Sequence, residues 1–137
     1  MRTLLDANVV LRYLLDDDEV MSSEAECIVR QSPTLLAEVA CEVVYVLEGV
    51  YGVARSDLCS YLTGFIDEVK CPDGDVLKTA LCIYKSMKKL DFVDCILAAR
   101  KQVCGDDVAT FDKKLKNRLV AIDETGSAVY KPSGTHK

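Results

Sequence analysis

The chain alternates very short apolar runs with longer stretches of helical period, and this alternation limits what it can fold into. The runs are Thr3-Leu4-Leu5, Thr34-Leu35-Leu36-Ala37, Val69-Lys70-Cys71, Val108-Ala109-Thr110 and Leu119-Val120-Ala121-Ile122. Each is short enough for a buried strand. Between them lie helical patterns. The first follows Asp6 and runs from Asn8 to Leu15, with Val9, Val10, Leu11, Tyr13 and Leu14. A second is capped by Ser22 or Ser23, with Glu26 placed for a capping box, and ends near Arg30. Glu38 to Val50 is a third, stopped by Gly52, and Ser56-Asp57 opens a fourth through Ile66. Asp75 caps a fifth to Lys88 or Lys89, and Asp91 is the expected N-cap of a sixth that reaches Val103 and stops at Gly105. Lys113 to Asn117 reads as a short basic helical turn. The alternation predicts an α/β fold: one three-layer α/β/α domain, residues 1–125, with a mainly parallel sheet of about four or five strands. Residues 126–137 form a polar tail.

Composition removes several function classes. Half of the 137 residues are hydrophobic, which suits a domain with a real core. No apolar run approaches the ~20 residues of a membrane span. Met-Arg-Thr-Leu-Leu-Asp at the start reads as a strand entering a fold and not as a secretory leader, so a cytoplasmic protein with no membrane role is expected. The seven cysteines (27, 41, 59, 71, 82, 95 and 104) are scattered, odd in number and include no Cys-x-x-Cys pair. They read as reduced core filler. The one histidine, His136, lies in the tail, which disfavours histidine catalysis and histidine zinc sites.

The net charge of −5 hides an asymmetry. Residues 1–83 carry 6 basic and 15 acidic side chains, whereas residues 84–118 carry 9 basic and 5 acidic. A basic segment beside acids suits a phosphate-bearing substrate held next to metal ions; a solvated surface of mixed charge explains it equally well. The candidate contacts to a nucleic-acid backbone are Lys88, Lys89, Arg100, Lys113, Lys114 and Lys116.

Ligands of parallel sheets collect at the carboxyl ends of the strands. Asp6 follows the first run, Asp112 follows the fourth, and Asp94 lies in the first turn of the helix before it. Glu38 and Glu42 share one face of the helix after the second run, and their spacing does not separate them. Four carboxylates can therefore converge on one rim. A first-turn carboxylate at Asp94 is expected to be ionised by the helix dipole, while crowding of four acids raises at least one pKa. A Mg²⁺ or Mn²⁺ ion resolves that repulsion, and its waters supply a nucleophile. Each acid also has a bland reading: Asp6 ends a strand, Asp91 and Asp112 cap helices, and the acidic run Asp16 to Glu19 is solvated surface.

These residues are similar to the motifs of the PIN-domain ribonucleases, in particular toxins of the VapBC type. Leu4-Leu5-Asp6-Ala7-Asn8-Val9-Val10-Leu11-Arg12 resembles the family's opening. Glu42-Val43-Val44-Tyr45-Val46-Leu47-Glu48 resembles its Glu-bearing helix, which selects Glu42 over Glu38. Asp91-Phe92-Val93-Asp94 and Ala109-Thr110-Phe111-Asp112-Lys113-Lys114 resemble its third and fourth motifs. The resemblance spans about residues 2–122 and implies a Mg²⁺- or Mn²⁺-dependent endoribonuclease. Asp6, Glu42, Asp94 and Asp112 would be catalytic, with Asp6, Asp94 and Asp112 on the metal. Asn8, Asp91 and Thr110 would support them, Thr110 by orienting a carboxylate or water. It also implies an RNA substrate cut to 5′-phosphate and 3′-hydroxyl ends, a cognate antitoxin as partner, and a homodimer. Ala7 departs from the pattern, where Thr or Ser is usual.

Three other readings compete. A phosphotransfer enzyme with an Asp nucleophile would need a second Asp two residues after Asp6, where Asn8 stands. A receiver-like signalling module does not fit Asp94 in a helix. A non-catalytic PIN-like binding module, or a nuclease that acts without an antitoxin, keeps the same fold.

Overall fold

The computed structural model describes residues 1–125. They form seven helices: α1 (Ala7–Leu15), α2 (Glu19–Val29), α3 (Ala37–Gly49), α4 (Arg55–Glu68), α5 (Gly74–Ser86), α6 (Phe92–Cys104) and α7 (Lys113–Thr125). The chain divides into two compact units, Met1–Gly74 and Asp75 onward.

The expected parallel sheet of four or five strands is not formed. The described residues contain two isolated parallel bridges, Leu4 to Thr34 and Thr34 to Lys70, and no regular strand. Thr34 is the centre of this contact. Its amide donates to the Thr3 carbonyl at 2.7 Å and its carbonyl accepts from Leu5 at 2.9 Å. On the other side Leu35 donates to Lys70 at 2.8 Å, and Lys70 donates to Pro33 at 2.9 Å. The first three runs thus lie where a parallel sheet requires, but each is too short to extend the ladder. Pro33 has no N–H to give. Asp6 and Leu36 are already the N-caps of α1 and α3, so the chain is helical three residues after Leu4 and after Thr34.

The fourth and fifth runs are also corrected. Val108 to Thr110 is irregular, and Leu119 to Ile122 lies inside α7. Leu115, Leu119 and Ile122 are buried while Val120 is half exposed. The spacing i, i+4, i+7 is a helix face, not a strand alternation. The short basic turn expected at Lys113 is the start of this 13-residue helix.

In the first unit α1 packs on α2 and α3, and α3 packs on α4. The core repeats the helical period: Val10 and Leu11 in α1, Ala40, Val43, Val44 and Leu47 in α3, and Leu58, Leu62, Phe65 and Ile66 in α4. Tyr13 tilts against Phe65 with ring centroids 5.5 Å apart. Fully burying a Leu or Phe of this kind stabilises by roughly 1.5–3 kcal/mol. The capping box expected from Ser23 is replaced. Asp18 is the N-cap of α2 and accepts from Met21, and Ser22 is buried with its hydroxyl donating to the Arg12 carbonyl at 3.0 Å.

In the second unit α6 packs on α7. Cys95, Ala98 and Ala99 of α6 are fully buried, as is Leu115 of α7. Small residues on α6 allow close approach of its backbone to a neighbour. Tyr84 meets Phe92 edge-on at 5.5 Å. Lys101 ties the two helices together through Asp123 at 3.1 Å. Cys59 and Cys95 are buried, as the core-filler reading requires, whereas Cys27 and Cys104 are exposed. No helix among the described residues is long and apolar enough to cross a membrane.

Candidate active site

Asp91 and Asp94 take the two roles that one helix start offers. Asp91 is the N-cap of α6: its backbone is extended and its carboxylate accepts from the Asp94 amide at 2.8 Å. This fixes Asp94 in the first turn, partly buried. Gly105 closes the other end of α6 at φ 76°, a left-handed conformation that glycine adopts without strain.

Asp112 lies just before α7. Its Oδ1 accepts from Lys114 at 2.8 Å and from Leu115 at 3.2 Å, and its own amide donates to the Thr110 hydroxyl at 3.1 Å. Thr110 therefore orients the backbone at Asp112. Asp112 is both the cap expected from the bland reading and a carboxylate whose charge reaches Asp94.

The electrostatics of Asp94 depart from the dipole expectation. Its carboxyl is raised above the usual carboxylate value. Burial is the largest cause, followed by the negative charge of Asp91; the Asp112 charge adds to these. A helix dipole contributes only about 0.3–1 kcal/mol at a surface, and here partial burial with two like charges outweighs it. Among the described residues no lysine or arginine forms an ion pair with Asp94.

The remaining expected residues sit elsewhere in the chain. Asp6 belongs to the first unit, is exposed, and caps α1 by accepting from Ala7 at 2.8 Å. Asn8 is exposed in the first turn of α1, and Glu42 is exposed on α3, one turn after Glu38. Among the described residues no group of three or more Asp, Glu, His or Cys side chains is arranged to hold a metal ion. The structure thus brings Asp91, Asp94 and Asp112 under one another's influence, and it does not gather a closed metal cage. Mg²⁺ does not need one, because it is usually held by one or two carboxylates and keeps several waters. The oxygen-only donor set of Asp94 and Asp112, uncompensated by a cation, fits such an ion.

The basic candidates divide. Arg100 is engaged by Asp106 at 2.9 Å. Lys88 and Lys89 are exposed in the turn before Asp91, and Lys113, Lys114 and Lys116 are exposed at the start of α7. Phe111 had no role assigned from sequence, yet it is 99% exposed, with the Lys116 ammonium 5.9 Å from its ring centre. The signal was present, as an aromatic residue between a hydroxyl and an acid, followed by lysines. A cleft of about 340 Å³ in the first unit is lined by Arg2, Thr3, Gln31, Thr34 and Lys70 and holds no carboxylate.

An acidic helix start beside a lysine-rich helix start defines a site suited to cations and phosphates. The chain belongs to the PIN-domain family, whose profile matches residues 3–118. PIN domains are generally nucleases, and those nucleases are typically dependent on divalent metals, so the family supports a nuclease-type function. No curated protein and no solved structure matches the chain.

Proposed function

We propose that the chain is a Mg²⁺- or Mn²⁺-dependent endoribonuclease, the toxin of a toxin–antitoxin pair, acting in the cytoplasm. The observation that carries the nuclease reading is the raised, cation-free Asp94 beside Asp91 and Asp112. The toxin assignment rests on the resemblance of the four motifs, and with it the cognate antitoxin and the homodimer.

In this reading Asp94 and Asp112 would hold the metal ion; the motif resemblance alone adds Asp6 as a further ligand and Glu42 as the fourth catalytic acid. Asp91 fixes Asp94 by accepting a hydrogen bond from its backbone amide at 2.8 Å. Thr110 and Asn8 support the carboxylates. The ion would supply charge stabilisation at the phosphoryl oxygen and a nucleophile of lowered pKa. Asp112 has one oxygen occupied by the α7 amides, and its other oxygen would be the one available as a ligand. Lys113 and Lys114 stand next to Asp112 in sequence and are placed to neutralise substrate phosphates.

The test is cleavage of single-stranded and structured RNAs by the purified chain in Mg²⁺, in Mn²⁺ and in chelator. Cleavage is expected only with metal, leaving 5′-phosphate and 3′-hydroxyl ends. It should fall about 100-fold or more in Asp94→Asn, since even residues that only support a ligand cost 10–100-fold. Asp6→Asn should fall similarly. Cleavage that persists in both variants, or is absent in every metal, overturns the reading.

A further inference from the structure

We propose that Phe111 is a stacking platform for one unpaired base of a single-stranded RNA, with Lys113, Lys114 and Lys116 holding the flanking phosphates. This rests on the nuclease reading and adds a substrate-positioning residue to it. Phe111 is 99% exposed and adjoins Asp112 in sequence. A large ring left this open contributes no core packing. Its contact is the Lys116 ammonium, 5.9 Å from the ring centre.

The lysines point the same way. Lys113, Lys114 and Lys116 crowd the first turns of α7, which holds no acid in its first turn. The N-terminus of a helix carries partial positive charge, so cations there are unfavourable to the helix. They are matched by Asp112 as cap, and a polyanion would match them further. Single-stranded nucleic acid is recognised by this combination of aromatic faces and a basic track, because every base has a π-face and every nucleotide a phosphate. A base inside a duplex has both faces stacked on its neighbours. The platform therefore selects unpaired segments and sets the strand's register against the adjoining carboxylates of Asp112 and Asp94.

The sequence contains no tryptophan and six tyrosines, so Phe111→Trp places the sole tryptophan at the platform, to be excited at wavelengths that tyrosine does not absorb. The full-length variant would be titrated, in chelator to prevent cleavage, with single-stranded 12-nucleotide RNAs and with a duplex of equal length. Binding would be followed in parallel by anisotropy of labelled RNA. Tryptophan emission is expected to be quenched by the single strands, with the Kd seen by anisotropy, and not by the duplex. Phe111→Ala should weaken single-strand binding by roughly 5- to 100-fold, the span of base–aromatic stacking, and Lys114→Ala should lower the salt dependence of binding by about one charge. Unquenched emission on RNA that demonstrably binds overturns the platform, as does Phe111→Ala binding at wild-type affinity. A wild-type chain that binds no single-stranded RNA overturns it too. Metal-dependent cleavage with unchanged Phe111→Ala binding removes the platform and leaves the nuclease. Quenching without cleavage in any metal removes the nuclease and leaves the platform.

Discussion

Several acids of the first unit are held in ion pairs or hydrogen bonds, whereas three around the start of α6 in the second are crowded. In the first unit Asp17 meets Arg12 at 2.7 Å, Glu26 meets Arg30 at 2.6 Å, and Glu48 meets Arg55 at 3.3 Å. Glu68 accepts from the Tyr13 hydroxyl at 2.5 Å, which pushes the phenol up to about 12. Around α6 the same residue type is placed against its own kind: Asp94 is partly buried beside the charges of Asp91 and Asp112. A fold relieves repulsion where it can, so an uncompensated cluster marks a place where something other than stability set the residues. Acid content alone would have pointed the other way, since the first unit has far more of it.

The contrast is broken most strongly at Asp94. Asp94→Asn removes the crowded charge but keeps the side chain's size. Activity should fall by about 100-fold or more, while the thermal midpoint should hold or rise, because a like-charge repulsion has been removed. Activity and stability moving in opposite directions is the mark of a functional acid. A midpoint that falls several degrees, read by circular dichroism, would mean that Asp94 is part of the structural framework and that the crowding has no functional meaning.

Asp91 mixes both roles and should give a smaller effect. Asp91→Ala loses the N-cap of α6, a cost of about 0.5–2 kcal/mol. It also removes the neighbouring charge that raises Asp94. Chemical denaturation should show the net loss, and an NMR titration should show the Asp94 carboxyl moving down toward its ordinary value. An unmoved Asp94 would leave burial and the Asp112 charge as the causes of its shift.

How much of this could be read from the chain depends on which forces act locally. The cap at Asp91 and the stop at Gly105 were legible because each needs only its own helix end. The first three apolar runs meet at Thr34, which bridges Leu4 and Lys70, although no strand order was read for them. Their failure to become strands was not legible, because ladder length depends on partners far along the chain. Leu119 to Ile122 was misread for a related reason: a four-residue apolar run has no period of its own. Leu115 supplies the missing register, and it sits in a segment that looked merely basic. Asp18 and not Ser23 caps α2, which begins four residues earlier than Ser23, and Ser22 instead turns inward to the Arg12 carbonyl, a tertiary contact. At Asp94 the sequence showed the helix dipole but not the burial, and burial decided the sign.

Acidity offers a finer probe of the same cluster. Between the ordinary value of 3.8 and its raised value, Asp94 holds its proton more tightly in the folded chain than in the unfolded one. The folded state then carries more protons in that window, so this group's contribution to stability falls as pH rises through it and is level above it. Subtracting the pH profile of Asp94→Asn from that of the wild type should isolate this fall. Mg²⁺ should reverse it above the window, raising the midpoint of the wild type as binding to the folded state requires and leaving Asp94→Asn unmoved. An identical Mg²⁺ response in both proteins would place the ion away from Asp94.

The smallest effect belongs to the paired acids, and it has the opposite sign. Asp17 bonds Arg12, whose guanidinium also donates to the Tyr51 hydroxyl at 2.7 Å and is held above its ordinary range chiefly by that bond. Exposed pairs of this type contribute little and are screened by salt. Asp17→Asn should therefore destabilise slightly at low ionic strength and converge with the wild type near 1 M salt, with no change in RNA cleavage. Tyr51→Phe should behave the same way if the two bonds hold Arg12 independently. The comparison between the units rests on this sign difference: removing a charge costs stability where the acid is paired and does not where it is crowded. Were Asp17→Asn to raise the midpoint as Asp94→Asn does, the gain would reflect relief of the chain's general negative charge, and crowding at α6 would no longer single out a site.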